Sequence, residues 1–119
     1  MNIIFFGSPN YSCKVIGSLL TSKHVVQAVI TQNFKNNRRI KTPVGLFSES
    51  KNINTLYPAN LADKKFIKML KSYNADLYII YAYGKILPPE LIVLPKYGVI
   101  NIHCSLLPKW RGAAPIQRA

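Results

Sequence analysis

The feature that most constrains the fold is a nearly continuous apolar run at residues 77–82, Leu-Tyr-Ile-Ile-Tyr-Ala. A strand with one face in water alternates apolar and polar residues, whereas a strand of a parallel sheet is covered by helices on both faces and is apolar throughout. A second run of this kind, Ile-Ile-Phe-Phe, occupies residues 3–6. The two runs therefore predict central strands of a parallel sheet in an α/β domain.

Strand and helix patterns alternate along the chain. Strands are predicted over residues 3–6, 25–31, 53–56, 77–82 and 99–103. Helices are predicted over residues 11–20, 43–50 and 61–73, with a short helix or turn over 88–94 and a last helix from Pro115. Right-handed crossovers then give an open, doubly wound, Rossmann-like sheet, mostly parallel, with the strand order 3-2-1-4-5.

A ligand crevice is expected where the strand order reverses, beyond the carboxyl ends of the first and fourth strands. Residues 7–10, Tyr83, Gly84 and residues 101–103 meet there, and Ser8 and Asn10 are expected to cap the following helix. Residues 7–10 hold one glycine and lack the three-glycine dinucleotide fingerprint, so a nicotinamide or flavin nucleotide is not expected.

Composition is that of one globular domain. The 119 residues are 49% hydrophobic and 17% charged, which excludes a disordered chain, and no apolar run approaches the ~20 residues of a membrane helix. Residues 1–6 lack a basic leader, so the sequence predicts a cytoplasmic protein, or one of an organelle matrix if the gene is eukaryotic. Cys13 and Cys104 are too few for a disulfide framework or a metal cluster, and no metal is expected.

Asn101 and His103 are the leading candidates for catalysis. They lie two residues apart on an extended segment, so their side chains leave the same face. Their apolar neighbours Val99, Ile100 and Ile102 predict an interior strand. An amide and an imidazole placed together can donate hydrogen bonds to the oxyanion formed in acyl or formyl transfer. The alternative is that Asn101 caps the strand end and that His103 is a core histidine whose hydrogen bonds are satisfied.

The charge is strongly positive, with 16 Lys and Arg against four Asp and Glu and a net charge of +12. Residues 35–41, called the basic segment below, contain Lys35, Arg38, Arg39 and Lys41. An exposed cationic loop suits contact with a phosphate backbone, because each neutralised phosphate releases counterions. The basic segment therefore predicts an RNA-binding loop, although a loop that is merely solvated has the same composition.

Three stretches together resemble the folate-dependent formyltransferases. Residues 101–118 carry Asn-x-His, then Ser-Leu-Leu-Pro and Arg-Gly, as in the signature of that family. Residues 3–9 and 82–88 are also similar, and the continuation at residues 110–118 favours the members that act on methionyl initiator tRNA. The resemblance implies transfer of a formyl group from 10-formyltetrahydrofolate to the methionine amine of that tRNA by a monomeric enzyme.

The resemblance also implies roles for individual residues. Asn101 and His103 are implied to be catalytic, and Tyr11 to contact the methionine side chain. Folate binding is implied for Ser105, Leu106, Leu107, Pro108, Tyr83, Gly84 and Leu87. Contact with the tRNA is implied for Lys35, Arg38, Arg39 and Lys41.

The length of the chain departs from the family pattern. In the family, the aspartate that orients the histidine lies a few dozen residues after it, beyond residue 119, and the C-terminal tRNA-binding domain is absent from residues 1–119 as well. We therefore expect residues 1–119 to be the N-terminal portion of a catalytic domain, with very weak or no activity alone. Two alternatives remain open: a sugar-nucleotide N-formyltransferase, and a remnant that binds RNA or folate without turnover.

Overall fold

A computed structural model describes residues 1–32 and 40–103 of the chain. The strands are β1 (Asn2–Gly7), β2 (Val25–Ile30), β3 (Thr55–Leu56), β4 (Leu77–Tyr81) and β5 (Val99–Ile102). The helices are α1 (Cys13–Leu20), α2 (Pro43–Ser50), α3 (Lys64–Ser72) and α4 (Pro89–Ile92), with a 3-10 turn at Asn10–Ser12. None of the described helices is long and apolar enough to cross a membrane.

All pairs of neighbouring strands are parallel, in the order β3-β2-β1-β4-β5. The predicted fold class and strand order are therefore confirmed. The chain builds outward from β1 to β3 and then returns to place β4 against the other side of β1. This reversal between β1 and β4 positions the candidate site.

The central strand β1 is buried on both faces. Ile4 and Phe6 belong to the cluster beneath α3 and α4, whereas Ile3 and Phe5 belong to the cluster beneath α1. Because successive side chains point to opposite faces, a strand between two helical layers needs apolar residues at every position. This double burial explains the continuous apolar run from which the sheet was predicted.

Several boundaries differ from the predictions for local reasons. The third strand begins at Thr55 instead of residue 53, because the Ile53 amide still donates to the Ser48 carbonyl at the end of α2. The third helix begins at Lys64 because Asp63 caps it, accepting a hydrogen bond from the Phe66 amide at 3.1 Å.

Ser8 and Asn10 do not cap the helix after β1. Neither the 3-10 turn nor α1 has a side-chain cap hydrogen bond. The Ser8 hydroxyl donates instead to the Tyr83 carbonyl at 3.0 Å. The expected capping role of this serine was therefore wrong, since its hydroxyl donates a hydrogen bond to a carbonyl 75 residues away.

Tyr78 is a fully buried phenol whose hydroxyl has no hydrogen-bond partner within the described residues. Removing an unpartnered buried hydroxyl relieves its desolvation cost, so Tyr78→Phe is expected to raise the free energy of unfolding by about 1 kcal/mol. Burial also raises the pKa of Tyr78 from 10.0 to about 12. Because the folded state disfavours the phenolate, the titration of Tyr78 does not affect stability below pH 10 and lowers the free energy of unfolding as the pH rises from 10 towards 12, a fall that Tyr78→Phe removes.

Denaturant unfolding at neutral and alkaline pH measures both effects of Tyr78→Phe. The matched control is Tyr57→Phe, because the Tyr57 hydroxyl donates to the Glu49 carboxylate and its removal should lower stability. A loss of stability in Tyr78→Phe as large as that in Tyr57→Phe would contradict this account.

Candidate active site

A cavity of about 380 Å³ opens at the carboxyl ends of β4 and β5. It is lined by Tyr11, by residues 80–86 and by residues 101–103. Tyr11 follows β1, so the lining comes from segments after three strands of the sheet. The cavity coincides with the crevice expected at the reversal of strand order.

Asn101 and His103 both line this cavity from the end of β5. Both side chains are exposed, and Asn101 is paired in register with Ile80 of β4. The prediction of an interior strand was wrong, because β5 is the outermost strand of the described sheet and Ile100 is 49% exposed. The alternative of a core histidine fails for the same reason. An accessible amide and imidazole on one strand end can both reach a bound ligand.

The loop after β4 turns sharply into the cavity. Ala82 has a φ of 57° and Gly84 a φ of 94°, so two left-handed residues lie within three positions. Such a conformation costs a non-glycine residue about 1 kcal/mol and is retained where surrounding contacts require it. The strain at Ala82 therefore indicates that this loop is held in place by its neighbours.

Tyr83 forms the base of the cavity. Its side chain is 1% exposed and its ring packs edge-on against Phe6, with 5.5 Å between centroids. Burial raises the pKa of Tyr83 to about 12, so the phenol is protonated at neutral pH. Leu87, expected at the folate site, is 4% exposed and packs in the core beneath the loop instead of lining the cavity.

Three polar side chains from other segments hold this loop by its backbone. The Ser12 hydroxyl donates to the Tyr81 carbonyl at 2.8 Å, and the Gln32 side-chain amide donates to the Tyr83 carbonyl at 2.9 Å. The Ser8 hydroxyl donates to that same Tyr83 oxygen. The Ser8 amide adds a bond to the Ala82 carbonyl at 3.2 Å. The loop geometry is thus set by the segments that follow β1 and β2.

Tyr11 and Tyr81 form an aromatic wall at the mouth of the cavity. Their rings meet edge-on at 5.4 Å between centroids, and Tyr11 is 53% exposed. Aromatic rings present a large apolar area with little flexibility. This wall suits an apolar side chain or a flat heterocycle, which is compatible with the role implied for Tyr11.

The basic segment lies mostly outside the described residues. Lys35, Arg38 and Arg39 fall there, as do Cys104, Ser105, Leu106, Leu107, Pro108 and the helix expected from Pro115. Lys41 is described, and its ammonium lies 2.7 Å from the Glu49 carboxylate. The bond to Lys41, together with that from Tyr57, lowers the pKa of Glu49. Lys41 is therefore already paired, which weakens its candidacy for a phosphate contact.

Sequence reasoning missed several residues of the site. Tyr81 lines the cavity and Gln32 holds its loop, and although residues 7–10 were expected at the crevice, the bond by which Ser8 holds that loop was not. A polar residue directly after a buried strand is a signal that could have indicated Ser8, after β1, and Gln32, just beyond β2. Within residues 1–32 and 40–103, no three His, Cys, Asp or Glu side chains are grouped as a metal site requires.

A parallel, doubly wound sheet with an amide and an imidazole at the reversal of strand order defines an α/β protein of the open-sheet class, with a cavity at the strand ends. The Formyl transferase family model matches residues 1–119. The chain belongs to the formyl transferase family.

Curated relatives match nearly the whole chain. Methionyl-tRNA formyltransferase of Prochlorococcus marinus (strain MIT 9312) is 48% identical over 122 residues, which cover 98% of this chain and 37% of the relative. The enzymes of that name from Chlamydia abortus and Lachnospira eligens are 41% and 39% identical, covering 99% and 100% of this chain. They are covered over 38% and 39% of their own lengths. The chain thus spans less than two-fifths of these relatives.

Solved structures share the fold. A phosphoribosylglycinamide formyltransferase from Anaplasma phagocytophilum superposes with a TM-score of 0.65 at 21% identity, covering 93% of this chain and 52% of that chain. A glycinamide ribonucleotide transformylase 1 from Symbiobacterium toebii also has a TM-score of 0.65, at 16% identity, covering 93% and 54%. At these identities the likeness establishes the architecture alone.

Proposed function

We propose that the protein containing this chain transfers a formyl group from 10-formyltetrahydrofolate to the methionine amine of initiator tRNA. The observation that carries the proposal is the placement of Asn101 and His103, both exposed, on one strand end in one cavity. The names of the curated relatives support the choice of methionyl-tRNA as acceptor.

The cavity fits a flat, polar heterocycle such as the pterin of the donor. Its volume of about 380 Å³ lies within the range of about 300 to 1,000 Å³ typical of small-molecule sites. The backbone amides of residues 84–86 donate to no acceptor within the described residues, so they are available to a ligand. Tyr11 and Tyr81 supply an apolar aromatic wall. These groups would hold the donor next to Asn101 and His103.

The donor supplies a formyl group activated by its bond to nitrogen. When the methionine amine attacks the formyl carbon, a new C–N bond forms and negative charge develops on the formyl oxygen. The Asn101 amide and a ring N–H of His103 donate hydrogen bonds to that oxygen, and such donors act because they stabilise charge that is absent from the ground state. The bond to the donor nitrogen then breaks, and the proton from the attacking amine passes to that nitrogen.

The direct test is an assay of formyl transfer by the protein in its natural full length. We expect labelled formyl to pass from 10-formyltetrahydrofolate to methionyl-tRNA. Transfer to a nucleotide-linked amino sugar, with none to the tRNA, would support the sugar-nucleotide alternative and overturn the proposal. Binding of tRNA or folate without any transfer would support the remnant.

The basic segment gives a second testable consequence. Arg38→Gln combined with Arg39→Gln is expected to weaken binding of methionyl-tRNA and to reduce the slope of log affinity against log salt by about 1 to 2, because two phosphate contacts are lost. Titrations at several salt concentrations measure the slope.

The matched control removes two charges elsewhere. Lys23 and Lys96 are exposed and precede β2 and β5, so they lie at the amino ends of the strands, opposite the cavity. Lys23→Gln with Lys96→Gln should leave the salt slope nearly unchanged. Equal slopes for the two double variants would favour a solvated loop without RNA contact.

A further inference from the structure

The peptide between Tyr83 and Gly84 is held from one side by two side chains. The Ser8 hydroxyl donates to the Tyr83 carbonyl at 3.0 Å, and the Gln32 side-chain amide donates to the same oxygen at 2.9 Å. A carbonyl oxygen has two lone pairs, so both are used. This peptide belongs to residues 82–86, which line the cavity and which we call the cavity loop.

The direction of this carbonyl fixes the direction of the next amide. The described residues contain no cis peptide bond, and in a trans peptide the C=O and the N–H point to opposite sides. The Gly84 N–H therefore points away from Ser8 and Gln32, neither of which lines the cavity. It donates to no acceptor within the described residues, so it is available to a ligand.

Glycine by itself does not select this orientation. Gly84 has a φ of 94°, and turning the 83–84 peptide over would give a negative φ, which glycine adopts about as readily. The turned peptide would present an oxygen to the cavity in place of the N–H. The choice between the two orientations therefore depends on the groups that meet the Tyr83 carbonyl.

Both donors are themselves fixed by the sheet. Ser8 directly follows β1, and its amide donates to the Ala82 carbonyl at 3.2 Å. Gln32 lies two residues beyond β2, and its backbone amide is 3.4 Å from the Ser8 hydroxyl. A Cβ at position 84 would lie 1.9 Å from the Gln32 side-chain nitrogen, so only glycine leaves room for this glutamine. The orientation of the 83–84 peptide is thus coupled to the two strands.

We propose that Gln32, together with Ser8, is a positioning residue that selects the orientation of the 83–84 peptide in which the Gly84 N–H meets a hydrogen-bond acceptor of the ligand. The inference rests on the proposed function, which identifies that ligand as the folate donor. Neither side chain touches the ligand in this account, because both act through the Tyr83 carbonyl. The turned peptide would place an oxygen against the ligand acceptor and weaken binding.

Gln32→Glu tests the proposal, because it keeps the shape of the side chain and replaces the donor by an acceptor. At pH 8 the introduced carboxylate repels the Tyr83 oxygen and can instead accept from the turned Gly84 N–H. In the natural full-length protein we expect the Kd of tetrahydrofolate and the KM for 10-formyltetrahydrofolate to rise about tenfold, the order of one lost hydrogen bond. Calorimetric titration measures the Kd without turnover.

Acid should restore binding to this variant. The neighbouring carbonyl oxygen disfavours the carboxylate, which raises the pKa of the introduced carboxyl above its ordinary value of about 4.3. Once protonated, at pH 5, this carboxyl can donate to the Tyr83 carbonyl as the amide does, so the Kd should return to within about twofold of the parent value. Comparison with the parent at each pH removes the contribution of the other titratable groups at the cavity, which are Tyr11, Tyr81, Tyr83, Lys85 and His103.

Gln27→Glu is the matched control. Gln27 lies on β2 and donates its side-chain amide to the Tyr73 carbonyl at 2.9 Å, so this variant undergoes the same chemical change. Neither residue of this pair lines the cavity. Gln27→Glu should therefore leave the Kd and the KM at the parent values at both pH 5 and pH 8.

Gln32→Met provides a second variant, should Gln32→Glu fail to fold. It removes one of the two donors to the Tyr83 carbonyl and adds no charge, while Ser8 still donates. We expect the Kd of tetrahydrofolate to rise about threefold, by the same factor at pH 5 and pH 8, because one of two hydrogen bonds is lost.

The outcomes separate this inference from the proposed function. If an active parent, Gln32→Glu and Gln32→Met bind tetrahydrofolate equally, the positioning role is overturned while the proposed function stands. An equal loss of affinity in Gln27→Glu, or a loss in Gln32→Glu that persists at pH 5, would also overturn it. So would a rise confined to the KM for methionyl-tRNA. A full-length parent without formyl transfer would overturn the proposed function and this inference with it.

Discussion

Asn101→Ala is expected to lower the kcat of formyl transfer by about 10²- to 10³-fold, with little change in stability. The magnitude is that of removing one donor to a developing oxyanion. Because Asn101 is exposed on an outer strand, its truncation leaves no buried cavity, and the free energy of unfolding should stay within about 0.5 kcal/mol of the parent value. His103→Ala is expected to have a similar effect.

Ile100→Ala serves as the control for both variants. Ile100 lies between Val99 and Asn101 on β5, is 49% exposed and points to the opposite face, so its truncation should leave turnover unchanged. Steady-state kinetics of the full-length protein, with thermal unfolding of each variant, gives the comparison. Near-parental kcat in both Asn101→Ala and His103→Ala would show that these side chains do not stabilise the transition state.

Gly7→Ala is expected to lower the free energy of unfolding by about 2 kcal/mol, the largest effect on stability that we predict. A Cβ at this position would lie 2.7 Å from the Phe5 ring and 2.8 Å from the Tyr81 carbonyl oxygen. Phe5 is fully buried, and the Tyr81 carbonyl also accepts a hydrogen bond from the Ser12 hydroxyl. Neither group can therefore move away from the added Cβ without losing packing or a hydrogen bond. The added methyl group should force β1 and β4 apart beneath the cavity.

Gly17→Ala is the matched control for this change. Gly17 lies within α1, and a Cβ there would meet its nearest neighbour, Phe47, at 4.0 Å. Because alanine loses less backbone conformational entropy on folding than glycine, the free energy of unfolding of this variant should rise by about 0.5 to 1 kcal/mol. Denaturant midpoints at constant m-value report both changes. Equal stabilities of the two variants would refute the close packing at Gly7.

Much of the fold could be predicted because its signal is local. The apolar runs at residues 3–6 and 77–82 indicate strands covered on both faces. The five predicted strands occur in the predicted order. The ends of elements were less predictable. Residue 53 lies outside β3 because its amide donates to the Ser48 carbonyl of α2, a choice of hydrogen-bond partner that composition does not reveal.

The candidate site was predictable in part for the same reason. The spacing of Asn101 and His103 places them on one face of any extended strand, whatever surrounds it. Their exposure was not predictable, because the apolar neighbours Val99, Ile100 and Ile102 occur in outer and inner strands alike. The position of Leu87 was not predictable either, because an apolar residue that follows the cavity loop can line the cavity or pack in the core, and Leu87 packs in the core.

By itself, the sequence determined the alternation of strands and helices, the parallel sheet, and the pairing of an amide with an imidazole, because each depends on residues close together in the chain. The tertiary structure alone decided that the hydroxyl groups of Thr42, Thr31 and Ser8 lie within hydrogen-bonding distance in that order, and that Ser8 donates to the Tyr83 carbonyl. Hydrogen bonds have to match in distance and direction, and for partners 75 residues apart the register of β1 against β4 supplies that match.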